Sequence, residues 1–284
     1  MAVLADGILP GRLGLYVAPW LMMLAAGLAA LGIWLRAWRS AAALAVVATG
    51  LYVAIWPGMR TPTPLTGPER IKVLTLSNRL ISHDMARTAA FLQANPADIM
   101  VLQEVHAPRQ LAQLMADHHA CADNNMLILS RWPLGPPRAE STARQLFCDA
   151  EIPTGPVLVG GVHLPKARLD PAHQNRGLAR LLTALEEADR PVILAGDFNT
   201  TPLTKPYRQI RNLLDDAYAT AGKGFGMTFP TTARPLLGLL GPFLRIDHIF
   251  YSPVFVATET EVLSDHPAGA DHFPVRTILA LKAD

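Results

Sequence analysis

The sequence predicts a mixed α/β domain, and three observations carry that prediction. From Ile71 onward, short apolar runs of strand length alternate with segments of helical periodicity. The runs are bounded by turn formers, as in Arg190-Pro191-Val192-Ile193-Leu194-Ala195-Gly196-Asp197. Most of the apolar runs also lead into, or carry, a polar residue able to do chemistry.

Taken in order, Ile71 to Leu76 reads as a strand, and Asp84 to Ala94 as a helix capped by Asp84. Asp98 to Leu102 is a buried strand ending in Gln103-Glu104, and Pro108 to Met115 is helical. Met126 to Leu129, Gln145 to Ile152 and Val157 to Val162 read as strands, the last ending at His163. Asp170 to Glu187 is the longest helix of this region, with Leu178, Leu181, Leu182 and Leu185 on one face. A buried strand from Val192 to Ala195 follows, then a helix near Pro206 to Leu214. Ile246 to Tyr251, Val254 to Val262 and Val275 to Leu281 complete the strands.

The N-terminal region differs in kind. Leu13 to Leu35 is uncharged and apolar, long enough to cross a bilayer as a helix. Arg36-Ala37-Trp38-Arg39 connects it to a second apolar run, Ser40 to Trp56. Residues 1–58 therefore read as a transmembrane hairpin, with spans at 13–35 and 40–56. The first run is too long for the core of a signal peptide. Arg36 and Arg39 in the short loop place that loop in the cytoplasm and the large domain outside, on the periplasmic face if the membrane is a bacterial inner membrane. Arg12, Arg60, Arg70 and Lys72 stand against this orientation. Residues 59–69 form a Pro/Thr linker, and 70–284 the large α/β domain.

The whole chain has 284 residues, half of them hydrophobic, with a mean hydropathy of +0.23. A net charge of +2 excludes a polybasic surface, though not a locally basic nuclease. Cys121 and Cys148 have neither zinc-ligand nor redox-motif spacing. Two readings stand: a pair of buried thiols, or one disulfide with a separation of 27 residues.

Gathered on one edge of a sheet sandwich, these polar residues would pool Asn78, Glu104, His163, Asp197, Asn199, Asp247 and Asp271-His272 in one cleft. Such a set suits hydrolysis of a phosphate ester. It offers oxygen ligands for a hard cation, a base for water, and neutral donors for the anion. Asp197 and Asn199 by themselves also fit an ordinary turn. His83, His106, His118, His119 and His173 read as surface or loop residues, His248 as strand support and Phe198 as packing. Arg245 is either a phosphate contact or a solvated charge.

Six motifs in order resemble the endonuclease/exonuclease/phosphatase superfamily: Leu76-Ser77-Asn78, Leu102-Gln103-Glu104, Gly161-Val162-His163, Gly196-Asp197-Phe198-Asn199, Arg245-Ile246-Asp247-His248 and Asp271-His272-Phe273-Pro274-Val275. The resemblance implies a four-layer α/β sandwich, two packed β-sheets flanked by helices, with a Mg2+ or Mn2+ site. It makes Glu104 the principal metal ligand, with Asn78 beside it and Asp271 as a third. Asp197 would activate water and Asn199 would donate to a phosphoryl oxygen. His163, held by Asp247, would bind phosphate or protonate the leaving group. Asp271 would fix the tautomer of His272, which contacts phosphate or shares the base role.

Two departures bear on this. Ala270 stands where the family usually has Ser, and Ser264-Asp265-His266 lies upstream as a rival final motif. Asp271-His272 is preferred because Pro274-Val275 and a strand follow it. The first motif also lacks the aromatic residue that usually precedes its Asn. The implied activity is a membrane-anchored, metal-dependent phosphohydrolase, foremost a phosphodiesterase acting on a phosphate ester that can be lipid-linked. A nuclease acting on DNA or RNA is the alternative, and a non-catalytic binding module on the same fold is the third.

Overall fold

The computed structural model describes residues 18–55, 69–79, 84–166, 170–234, 236–267 and 269–282. Residues 13–17 of the first expected span, Trp56, residues 59–68 of the expected linker and His83 lie outside them.

The two apolar runs form helices α1 (Ala18–Trp34) and α2 (Trp38–Ile55), joined by a tight turn with Arg36 at φ 58°. The described helices do not support the transmembrane expectation. The first is described from Ala18 to Trp34, 17 residues. The 18 residues of α2 include Arg39, Ser40, Thr49 and Gly50 and are less apolar. Among the described residues, no helix is long and apolar enough to cross a membrane.

Beyond Arg70, eleven strands among the described residues build two mixed sheets. The first contains β1 (Ile71–Ser77), β2 (Ile99–Gln103), β3 (His119–Asp123), β4 (Met126–Ser130), β10 (Phe255–Val262) and β11 (Val275–Leu281). Its order is β10-β11-β1-β2-β4-β3. The second contains β5 (Gln145–Ile152), β6 (Gly155–His163), β7 (Val192–Asp197), β8 (Asp215–Asp216) and β9 (Asp247–Tyr251). Its order is β5-β6-β7-β9-β8.

Strand alternation sorts the apolar residues into layers. Ile71, Val73, Val101, Val159, Ile193, Ala195 and Ile249 belong to a core shared by both sheets. Their neighbours Leu74, Leu76, Met100 and Leu102 face the other way. They pack with α3 (Met85–Ala94) and α4 (Pro108–Leu114) through Phe91, Leu92 and Leu111. On the far side, Leu158, Leu194 and Phe250 meet α5 (Pro171–Glu186) and α6 (Lys205–Arg211) through Leu178, Leu181 and Ile210. The result is helix, sheet, sheet, helix, the expected four-layer sandwich.

Asp84 caps α3 as expected, its carboxylate accepting from Arg87 N at 3.0 Å; Asp170, read as the first residue of its helix, instead caps α5 by accepting from His173 N at 2.8 Å. The edge strand β3 and the short helix α7 (Ala217–Ala221) were not expected. Cys121 in β3 and Cys148 in β5 form a disulfide that ties the two sheets together, with Cα atoms 6.6 Å apart.

Candidate active site

Register builds the site. In the second sheet, His163 on β6 lies opposite Asp197 on β7, and Asp197 lies opposite Asp247 on β9. All three share strand parity with the residues of the inter-sheet core, so they stand in a row on the face turned toward the first sheet. Gly196 makes the row possible. At φ 149°, a Cβ there would sit 2.0 Å from the Val162 carbonyl oxygen. Strand β7 therefore runs through Gly196 to Asp197, two residues beyond the expected end at Ala195.

The first sheet supplies the opposing wall. Parallel pairing of Ser77 with Gln103 brings Asn78 and Glu104 out side by side at the strand ends. Asn78 is fully buried, and its N–H donates to the Gln103 carbonyl at 2.9 Å. Glu104 (φ 54°), Arg79 (φ 58°) and Asn199 (φ 46°) adopt left-handed backbone, so strain concentrates beside these motifs.

Asp197 sits between two imidazoles. Its Oδ2 lies 3.9 Å from Nε2 of His163 and 3.9 Å from Nε2 of His272. Burial pushes the Asp197 carboxyl up toward neutrality, with Asp247 adding to the effect and His272 opposing it. Asn199 fixes this carboxylate. Its backbone N–H donates to Oδ1 at 2.8 Å, and its amide donates to Oδ2 at 3.0 Å and to the Leu164 carbonyl at 2.8 Å. This geometry gives Asn199 an orienting role toward Asp197, alongside the donation to a phosphoryl oxygen that the resemblance implies.

The histidine partners also differ from expectation. Asp247 was expected to hold His163, yet its Oδ2 accepts from His272 Nδ1 at 2.8 Å. The orientation of the His272 ring is accordingly set by Asp247, where Asp271 was expected to fix its tautomer. Burial alone would lower the His272 pKa, but Asp247 and then Asp197 outweigh it and raise it to about 9. His163 instead meets Arg144, whose Nη1 lies 3.4 Å from its Nδ1. Arginine has no acceptor, so Nδ1 accepts and the ring proton sits on Nε2, facing Glu104 Oε1 at 3.5 Å. Burial, with Arg144 beside it, lowers the His163 pKa to about 3, which keeps the ring neutral.

The residues expected to hold metal fit that task. The Oδ1 of Asn78 accepts from the Thr88 hydroxyl at 3.2 Å, while Nδ2 is buried without a partner. With the amide turned over, Thr88 accepts from Nδ2 and Oδ1 becomes a free oxygen donor. Asp271 is 2% exposed, and its Oδ1 is likewise buried without a partner. Two orphan polar positions, at Asn78 and Asp271, are of the kind a hard cation would satisfy, and Glu104 follows the strand that pairs with the one leading to Asn78. Asp197, Asp247 and His272 also bring ligand atoms within 4.8 Å of one another. There, however, His272 is committed to Asp247, and its imidazolium supplies the positive charge.

Other residues emerge only in the fold. Arg234 pairs with Asp271 Oδ2, its Nε at 2.6 Å. Phe229 lies 4.9 Å from the His272 ring, with Lys166 and Arg234 each about 6 Å from its centroid. Arg245, read as a substrate contact or a solvated charge, is neither. It is buried against Asp216 at 3.2 Å, with Tyr207 and His248 on the same carboxylate. Burial opposes ionisation of Asp216, but Arg245 and His248 overcome it and hold the carboxyl far below its usual range. His248 supports its strand as expected, its Nε2 lying 2.9 Å from the Thr200 carbonyl. In the rival motif, His266 meets the Pro267 carbonyl and the Phe273 ring.

Residues 78–272 match the Endonuclease/Exonuclease/phosphatase family. The chain belongs to that family. Its members are metal-dependent hydrolases acting on phosphate esters, and this chain is such an enzyme. No curated protein matches the sequence. Solved structures share the family fold at low identity. An endonuclease/exonuclease/phosphatase from Beutenbergia cavernae is 20% identical, with a TM-score of 0.59 over 75% of this chain and 72% of that one. A 3′ phosphatase, NExo, from Neisseria, bound to a product DNA hairpin, is 20% identical, with a TM-score of 0.58 over 73% and 98%. A humanised D. rerio TDP2 is 17% identical, with a TM-score of 0.58 over 74% and 98%.

Proposed function

We propose that the chain is a divalent-metal-dependent phosphodiesterase in which Asp197 activates the attacking water. The observation that carries this reading is the row His163–Asp197–Asp247 on adjacent strands, closed by His272. Ionised Asp197, steadied by Asn199, accepts a proton as water oxygen bonds to phosphorus and the leaving oxygen departs. His272, pinned by Asp247, directs a charged Nε2–H at the phosphoryl oxygens, and neutral His163 directs a second donor. Asn78, Glu104 and Asp271 would hold Mg2+ or Mn2+, which supplies charge neutralisation at the phosphate. Turnover of a chromogenic phosphodiester, dependent on Mn2+ and abolished by chelator, tests the reading. An Asp197→Ala protein with wild-type turnover would sink it.

For substrate, the cationic rim favours nucleic acid. Four cations from separate segments meet residues of the candidate site or its neighbours: Arg144 meets His163, Lys166 lies near Phe229, Arg234 pairs with Asp271, and Arg79 donates to the Ala233 carbonyl. The NExo structure, a 3′ phosphatase holding a DNA hairpin, shares this fold. Cleavage of DNA or RNA that falls steeply between about 50 and 200 mM salt would support this class.

A second reading, a lipid-linked substrate, rests on the hairpin. Leu24, Leu28, Leu31 and Trp34 on α1, with Trp38 and Val46 on α2, are exposed apolar residues. Binding of the full chain to lipid vesicles, lost when residues 18–55 are removed, would favour membrane association. The inter-sheet disulfide supports an extracytoplasmic location.

A further inference from the structure

Asp271 is shared between two prospective cations. Its Oδ2 already accepts from Nε and Nη2 of Arg234, while Oδ1 stays buried and unpartnered. The Arg234 backbone is anchored. Thr231 N–H donates to the Asp271 carbonyl at 3.0 Å, Thr231 Oγ1 donates to the Ala270 carbonyl at 2.7 Å, and Arg79 donates to the Ala233 carbonyl at 3.3 Å. The side chain itself is 36% exposed, and its guanidinium lies 5.9 Å from the Phe229 centroid, on the ring that meets His272. A buried carboxylate is thus gripped by a partly exposed cation that lies against the same ring as His272.

We propose that Arg234 couples metal binding to substrate binding by moving its charge from Asp271 to the substrate phosphate. The inference rests on Asn78, Glu104 and Asp271 being the metal ligands. In the free protein, Arg234 neutralises Asp271 and so weakens the site for a divalent cation. Two cations on one buried carboxylate repel each other, because the low local dielectric screens them poorly. A phosphodiester next to His272 offers the guanidinium a planar, bidentate alternative. Release of Asp271 then strengthens its hold on metal, and linkage requires the converse, that metal strengthens binding of the phosphodiester. The enzyme would therefore hold metal firmly only with substrate in place.

Calorimetric titration of the full chain with Mn2+, with and without dimethyl phosphate, tests this directly. In the wild type, dimethyl phosphate should tighten Mn2+ binding roughly 5-fold or more. Arg234→Ala should bind Mn2+ more tightly than wild type without dimethyl phosphate, and should lose most of the enhancement. Arg234→Gln, which keeps a hydrogen bond but no charge, should behave in the same way and serves if the alanine variant fails to fold. Unchanged affinity and enhancement in a folded variant would overturn the coupling while leaving the metal assignment intact. Mn2+ binding that persists unaltered in Glu104→Ala would instead overturn the metal assignment, and this inference with it.

Discussion

His272 Nδ1 donates to Asp247 Oδ2 at 2.8 Å, both groups being nearly inaccessible to solvent. This bond fixes the orientation of the ring that faces Asp197; against burial, the charge of Asp247 and then that of Asp197 raise the ring's pKa to about 9. Replacing Asp247 with Asn keeps the shape but removes the charge. The His272 pKa must then fall, since its largest favourable partner is gone. We expect the alkaline limb of kcat/KM to move at least about one pH unit lower in Asp247→Asn, with a rate loss of roughly 100-fold. A pH–rate profile with an unmoved limb would contradict the assigned pairing.

Asp197 should trade stability for chemistry. Its pKa is raised in the folded state, so folding favours the protonated form. Stability therefore declines as pH rises from the ordinary carboxylate range through the raised folded value. Asp197→Asn cannot ionise and escapes that decline. Thermal melts at pH 5 and pH 8 should show the variant gaining on wild type at the higher pH while turnover disappears. A difference independent of pH would refute the raised pKa.

Gly196→Ala should be among the most damaging single-methyl changes in the chain. The added Cβ would collide with the Val162 carbonyl oxygen, and the backbone sits at φ 149°. The two effects together should cost about 3 kcal/mol, read as a lower urea midpoint with the slope preserved.

Asp216→Ala should destabilise without touching the reacting atoms. It strands Arg245, which is 8% exposed, and removes the cap of α7, where Asp216 accepts from Tyr218 N at 2.7 Å. Breaking a buried pair in this way costs about 3–5 kcal/mol. Replacing Arg245 and Asp216 together with apolar residues should recover part of that loss, as measured by urea unfolding.

The sequence shows the layers and the identity of most site residues because each rests on local pattern. Gln145–Ile152 and Val275–Leu281 appear in the fold with the bounds their alternation suggests. Partnerships are less legible. Asp247 meets His272 and not His163 because strand register decides it, and register is a property of pairing between distant segments. Arg245 could not be read as buried, since its partner Asp216 lies 29 residues away. Arg234 and Lys166 sit in loops without a motif, and only the return of the chain to Phe229 brings them to His272. The edge strand His119–Asp123 is short and partly exposed, so its pattern is faint. The hairpin is the reverse case: its composition resembles that of spans, while among the described residues no helix is long and apolar enough to cross a membrane.

The chemistry lies along a seam. Asn78 and Glu104 extend one sheet, His272 enters that same sheet through β11, and His163, Asp197 and Asp247 belong to the other. Neither half owns a complete set of acid, base and cation ligands. Sliding one sheet against the other by a few ångströms would leave every strand formed and the enzyme silent. Turnover is therefore a gauge of how the two halves are docked, and on heating it should fade before the strands themselves melt.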